Sequence, residues 1–245
     1  MRHLELIGVD GLPEVRPGDD LAALIGARAR LQAGDVLVVA QKVVSKAEGR
    51  LVDLATVTAG DEAVRISSRL IARPDPRMVQ VVLDESVRVL RAERVLITET
   101  RHGYVCANAG VDHSNTGDRS MLTLLPLDPD SSAGRLRERL REVTGVEVGV
   151  IVSDTFGRPW RLGIVNVALG VAGVPALVDL RGTPDDNGEA LHATVLAVAD
   201  DIASSAGLVM EKTARTPAVV VRGLALQGTG SGRELIRPAA EDLFR

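Results

Sequence analysis

Three segments, "DVLVVA" (35–40), "VGVIVS" (148–153) and "PAVVV" (217–221), are almost unbroken runs of Val, Ile, Leu and Ala. Runs this short, apolar and β-branched read as buried strands. They constrain the fold most, because each must be covered by other elements. Aromatic residues make up only 2% of the 245 residues, so aliphatic side chains must build that cover.

"HLELIGV" (3–9) alternates as a further strand, and "RVLITETRHGYVCANAGVDHSN" (94–115) reads as a hairpin turning at His102-Gly103. Between these lie helical patterns. Asp19 or Asp20 can cap a helix over "LAALIGARARLQ" (21–32) that ends at the turn of Gly34. "DEAVRISSRLIAR" (61–73) and "PRMVQVVLDESVRVLR" (76–91) repeat apolar residues at three and four, as helices lying on a sheet do. "DPDSSAGRLRERLREVTG" (128–145) has helix caps at its start and Gly145 near its end. "GEALHATVLAVADDIASSAGLVM" (188–210) is the longest helical pattern, and "RELIRPAAEDLF" (233–244) reads as a closing helix. The segment 164–182 is strand or mixed apolar structure. Strands interleave with helices, and the hairpin argues against a purely parallel sheet. The expected class is therefore α+β (mixed α/β), in one domain over 1–245 with a weakly signalled subdivision near 60–90.

The net charge of −4 gives no sign of a nucleic-acid partner. No apolar run reaches the roughly 20 residues of a membrane span, and the N-terminus lacks a signal-peptide pattern, so a cytoplasmic protein is expected. The single cysteine, Cys106, reads as a small core hydrophobe, and the four histidines are scattered.

Three apolar runs lead into polar clusters: Gln41, Lys42, Ser45 and Lys46; Asn108, Asp112, Ser114 and Asn115; and Asp154, Thr155, Arg158 and Arg161. Ligands collect at strand ends where loops converge. Two carboxylates, Asp112 and Asp154, can share a hard cation with water and phosphate oxygens, and Thr155 can add a hydroxyl. From spacing alone, the reading of each aspartate as a turn or cap residue is favoured over the metal role. The lysines and arginines could clamp phosphates, or singly form ordinary surface ion pairs. Trp160 reads as a packing anchor. "GTGSGR" (228–233) reads as a flexible turn, and no phosphate-loop or dinucleotide motif is present. Nothing supports covalent catalysis.

The blocks "GLPEVRPGDDL", "GDVLVVAQKVVSKAEGR", "NAGVDHSN", "LLPLDPDSSA", "VGVIVSDTFGRPWRLG", "VADDIASSA" and "TPAVVVRG", in this order, resemble the coenzyme F420:L-glutamate ligases, or gamma-glutamyl ligases. The resemblance implies a homodimeric, intertwined α+β enzyme that adds L-glutamate to the F420 core (F420-0), and then further γ-linked glutamates, at the expense of GTP. It implies GTP contacts at Leu12, Pro13, Glu14, Val15, Gln41, Lys46 and Asn115. Metal ligands are implied at Asp112, Asp154 and Thr155, with Glu211 for a second ion. The ions would be Mg2+ or Mn2+, two in number, and K+ is also admitted. Arg158 and Arg161 are candidate phosphate or substrate contacts, and no residue is identified as a general base. The chain departs from the pattern at Gln41, where Ser or Thr is usual, and at Asn187, where an aromatic is usual. No nitroreductase-like extension and no reductase activity are expected. Two other readings remain: a GTP-dependent amide ligase with another acceptor, and a GTP-binding module without chemistry.

Overall fold

The computed structural model describes residues 3–113, 120–210, 215–226 and 228–242. Its central sheet joins five strands: β1 (Glu5–Gly8), β2 (Val36–Ala40), β8 (Gly149–Arg158), β9 (Arg161–Ala172) and β12 (Ala218–Arg222), in the order β1-β12-β2-β8-β9. Only β2 and β8 run parallel; the other neighbours are antiparallel. The architecture is α+β, as expected. The three apolar runs occupy the middle of the sheet, where both faces are covered.

Alternation along these strands sorts the core into two layers. Leu37, Val39, Val150, Val152 and Val220 face α1 (Leu21–Gly26), α2 (Gln41–Ala47) and α5 (Pro129–Thr144), which contribute Ile25, Val44, Leu136 and Leu140. Val36, Val38, Ile151, Val219 and Val221 face the opposite way, onto Ala199, Ile202, Ala203 and Ala206 of α6 (Val198–Ala206). Each fully buried Val, Leu or Ile contributes roughly 1.5–3 kcal/mol. Asp35, just before β2, is 1% exposed, and Arg222 holds it through two hydrogen bonds of 2.8 Å. That pairing balances a charge which burial would otherwise penalise.

A third cluster gathers Ala63, Ile66, Val79, Val82, Leu96, Val111 and Leu122. They come from α3 (Asp61–Arg69), α4 (Pro76–Asp84), the sheet of β4 (Ser86–Ala92), β5 (Leu96–Thr100) and β6 (Val105–Ala107), the turn that follows β6, and the ribbon of β3 (Leu51–Asp53) with β7 (Met121–Thr123). The hairpin turn at His102-Gly103 is present between β5 and β6. β10 (Val178–Asp179) and β11 (Val195–Leu196) form a small separate pair.

Several boundaries differ from the sequence expectation. The helix over 21–32 stops at Gly26, with Asp20 as its cap. The polar half of "DVLVVAQKVVSK" is helical, because Gln41, Val44 and Ser45 are buried at helical spacing. The pattern over 76–91 breaks at Asp84: Val87 and Val89 are β-branched, and Arg88 on β4 pairs with Glu99 on β5 at 2.6 Å. The long pattern over 188–210 is helical only from Val198, because Val195 and Leu196 are exposed and join the β10 ribbon instead. α5 is longer, and it has the expected caps: Asp128 accepts from the Ser131 N–H, and Gly145 is left-handed. The closing segment forms two 3-10 turns, Gly232–Leu235 and Ala239–Glu241, on either side of Pro238, which lacks an N–H.

The glycine-rich stretch before it is seated rather than free. Asp130 accepts from the Val171 and Gly232 N–H groups at 2.8 and 2.7 Å and from the Ser231 hydroxyl at 2.6 Å. This joins α5, β9 and the C-terminal segment.

Candidate functional site

The parallel register sets Ala40 beside Ser153, so α2 begins at the end of the sheet where Asp154 follows. On α2, Lys42 and Lys46 are one turn apart and share a face. Lys42 Nζ donates to Asp112 Oδ2 at 2.8 Å, and Lys46 Nζ donates to Glu14 Oε1. Behind them, the Ser45 hydroxyl donates to Gln41 Oε1 at 2.8 Å, and both residues are buried. The substituted position 41 thus makes an internal contact that fixes the first turn of α2.

The loop over 11–20 supplies Glu14. Val15 is buried in the core, and Leu12 packs at its margin. Pro13 and Glu14 are exposed between these two anchors, and the Glu14–Lys46 pair ties the loop to α2. Asp112 is held by its backbone, which exchanges hydrogen bonds of 3.0 and 2.8 Å with Thr123. The approach to it is unusual: Asn108, Ala109 and Gly110 all have positive φ, 53°, 53° and 71°. Only glycine adopts that conformation freely, so the turn is strained at two residues. At Gly110 a Cβ would meet Leu125 at 2.7 Å. The turn redirects the chain from β6, which packs against β8, toward Asp112.

Asp154 and Thr155 are not at a strand end, because β8 continues to Arg158. As neighbours on a strand they point to opposite faces. The Thr155 hydroxyl donates to Asn166 Oδ1 at 3.2 Å, and Asn166 Nδ2 reaches Met210 Sδ at 3.5 Å. Asp154 acts electrostatically on Cys106. Burial first, and the Asp154 charge second, push the Cys106 thiol up to about 12. It stays protonated and is no nucleophile at neutral pH. Tyr104 is likewise raised by burial, and its hydroxyl donates to the Leu169 carbonyl.

Arg158 and Arg161 face each other across the hairpin tip, with Pro159 and Trp160 between them. They lie four strand residues beyond Asp154, roughly 13 Å at ~3.3 Å per residue. Within this chain they do not join the Asp154 cluster. Arg158 Nη2 donates to the Leu162 carbonyl at 2.6 Å and so closes the tip. Trp160 is 85% exposed rather than buried in the core, contrary to expectation. Asn115 and Glu211 lie outside the described residues.

Asn166 was not legible as a partner of Thr155. Counting symmetrically from the tip pairs Thr155 with Ile164, but the register shifts by two between Gly157 and Arg158. For a metal ion the available donors are carboxylate and hydroxyl oxygens. Such a set suits Mg2+ or Mn2+, and Mg2+ commonly takes one or two carboxylates with water and phosphate. Among the described residues no group of three or more His, Cys, Asp or Glu gathers. No helix among these residues is long and apolar enough to cross a membrane.

Comparison with known proteins bears on these blocks directly. Residues 11–223 match the family model described as F420-0:Gamma-glutamyl ligase. The chain is 48% identical to the coenzyme F420:L-glutamate ligase of Methanopyrus kandleri, over the full length of both. It is 47% identical to the enzyme of that name from Archaeoglobus fulgidus, over 99% of this chain and 97% of the relative. For the Methanothermobacter thermautotrophicus protein of the same name the identity is 43%, over 99% of each. With the family model covering most of the chain and relatives this similar from end to end, the protein belongs to the F420-0:gamma-glutamyl ligase family.

Proposed function

We propose that this protein is a ligase that joins L-glutamate to the F420-0 core by an amide bond, drives the reaction with GTP, and extends the product with further γ-linked glutamates. Family membership and full-length similarity to enzymes named coenzyme F420:L-glutamate ligase support the acceptor and the amino acid. One structural observation carries the phosphate chemistry: the Ala40–Ser153 register, which brings the lysines of α2 and Asp154 to the same end of the sheet.

A carboxylate is a poor electrophile, so it must be activated before an amine can displace one of its oxygens. On this reading an oxygen of the acceptor carboxylate attacks the γ-phosphorus of GTP. The bond to the β-phosphate oxygen breaks, and GDP leaves. The neutral amine of L-glutamate, having lost its proton, attacks the acyl phosphate carbon, and inorganic phosphate departs with the C–O bond electrons. Lys42 and Lys46 reduce the repulsion between the anionic reactants. The exposed part of the loop, Pro13 and Glu14, borders the nucleotide, and buried Gln41 keeps α2 rigid beneath it. Asp112 and Asp154, with Thr155 on the other face of β8, would hold divalent ions. Those ions, when bound, supply charge neutralisation on the phosphates.

We also infer a homodimer. Trp160, Leu162 and Ile164 leave an exposed apolar tip on the β8–β9 arm, which supports association through a second copy. A monomeric mass by sedimentation at micromolar concentration would remove that inference. For the ligase itself, protein incubated with GTP, Mg2+ or Mn2+, F420-0 and L-glutamate is expected to give GDP and a glutamate adduct by mass spectrometry. GDP formation without an adduct points to another acceptor; GTP binding without turnover points to a non-catalytic module.

A further inference from the structure

A cavity of about 540 Å³ lies apart from the α2 lysines, between the β5–β6 turn, the segment after β7 and the C-terminal 3-10 turns. Arginines from three separate parts of the chain line it: Arg50, Arg101, and the pair Arg233 and Arg237. Two carboxylates, Glu85 and Glu99, also line it, but each is already engaged. Arg50 donates to Glu85 at 2.7 Å, and Arg88, from outside the cavity, donates to Glu99 at 2.6 Å. Among the described residues Arg101 meets a neutral group, the Asp84 carbonyl, at 2.6 Å, and Arg233 lies 3.3 Å from Asp128. Arg237 makes no hydrogen bond or ion pair among the described residues. The lining thus carries more cationic charge than its own carboxylates balance.

A second observation comes from His102, on the same wall. Its Nε2 faces the Pro126 and Leu127 carbonyls at 2.9 and 3.1 Å, so Nε2 carries a hydrogen. Its Nδ1 is buried without a hydrogen-bond partner among the described residues. The His102 ring stacks on Tyr104 at 5.5 Å, and Tyr104 meets Phe156 edge-on at 6.3 Å. Phe156 directly follows Thr155, so ring packing behind the cavity connects its His102 wall to the strand that carries Asp154.

We propose that this cavity is a polycarboxylate subsite, and that its occupant is the γ-linked glutamate chain of the growing product. The identity of the occupant rests on the ligase reading above. Such a chain carries one carboxylate per added residue, and guanidinium groups bind carboxylates through paired, planar hydrogen bonds. The volume exceeds what one glutamate needs and accommodates a short oligomer. A tail held here stays tethered beside β8 between successive additions.

The test is a calorimetric titration of the full chain, without nucleotide, metal or coenzyme core. The probes are γ-linked triglutamate, L-glutamate and inorganic phosphate. Triglutamate is expected to bind more tightly than the other two. Arg101→Ala and Arg237→Ala are each expected to weaken it about tenfold. Arg237 is exposed and makes no such bond, so Arg237→Glu should fold with an unchanged melting temperature and abolish triglutamate binding. With F420-0 and all substrates present, the ratio of multiply to singly glutamylated product should fall in the same variants. Unaltered triglutamate affinity in Arg237→Glu, or phosphate binding as tightly as triglutamate, overturns the proposal. Triglutamate binding without any glutamylation would sink the ligase reading alone. Glutamylation without triglutamate binding would sink the subsite alone.

Discussion

Lys42 Nζ lies 2.8 Å from Asp112 Oδ2, so an ammonium sits against a carboxylate that the family resemblance assigns to a metal ion. The contact bridges 70 positions in sequence and ties α2 to the strained turn after β6. On this geometry an arriving cation competes with Lys42, and the released lysine becomes available to phosphate.

Removing Lys42 should therefore separate two effects. Lys42→Ala is expected to tighten Mn2+ binding several-fold, because no ammonium has to be displaced. It is also expected to lower kcat/KM for GTP by about 10²-fold through loss of phosphate neutralisation. Asp112→Asn and Asp154→Asn should each weaken Mn2+ binding and lower turnover by at least that factor. Electron paramagnetic resonance titration of Mn2+ alongside product mass spectrometry reads both. Full activity in Asp154→Asn would remove Asp154 from the metal role.

The Glu14–Lys46 pair joins a nearly buried ammonium to a half-exposed carboxylate, with side-chain exposures of 8% and 57%. Glu14→Gln should cost about 1 kcal/mol in urea unfolding, because the Glu14 charge no longer offsets the Lys46 ammonium, an effect that solvent at the half-exposed carboxylate screens in part. A change confined to GTP affinity, with stability untouched, would show that the pair matters only for the loop.

Cys106 sets an alkaline limit. Its thiol is raised from 9.0 to about 12 in the folded chain, so above pH 9 the unfolded state loses a proton that the native state keeps. Stability contributed by the neutral thiol is present below pH 9 and declines as pH rises towards 12. Cys106→Ala should flatten that slope in unfolding curves measured across pH 8–11. In the native protein, iodoacetamide should label Cys106 far more slowly at pH 8 than in urea.

The C-terminal segment is fitted against backbone. A Cβ on Gly232 would lie 2.1 Å from the Leu169 carbonyl oxygen, an atom of the central sheet that cannot yield. Gly232→Ala should lower the melting temperature by several degrees, corresponding to ~2 kcal/mol or more. Asp130→Ala should do the same, because it leaves the Val171 and Gly232 N–H groups without their acceptor. If both variants melt like the parent, the segment is not held as described.

Local signals decided much of this fold. Val36–Ala40, Gly149–Val152 and Ala218–Val221 were legible as buried strands because continuous β-branched runs have few alternatives. Asp128 and Gly145 marked the ends of α5, because capping depends on neighbours three or four residues away. Where patterns overlapped, tertiary pairing prevailed. Residues 86–92 carry both helical and alternating apolar spacing, and the cross-strand Arg88–Glu99 pair accompanies their outcome as β4. Residues 189–197 look helical in isolation, yet the described core offers them no apolar face, and β11 forms instead.

The same division holds for the candidate site. The sequence by itself determined which residue types were on hand, acids and hydroxyls beside buried strands and lysines one helical turn apart, because strand and helix periods are local. Only the tertiary structure decided that Lys42 meets Asp112, that Asp154 and Thr155 diverge across a continuing strand, and that Arg158 and Arg161 are carried out to a hairpin tip. Those outcomes depend on the β2–β8 register, on the bulges of β8 and β9, and on the Lys42–Asp112 contact across 70 positions, none of which local spacing encodes.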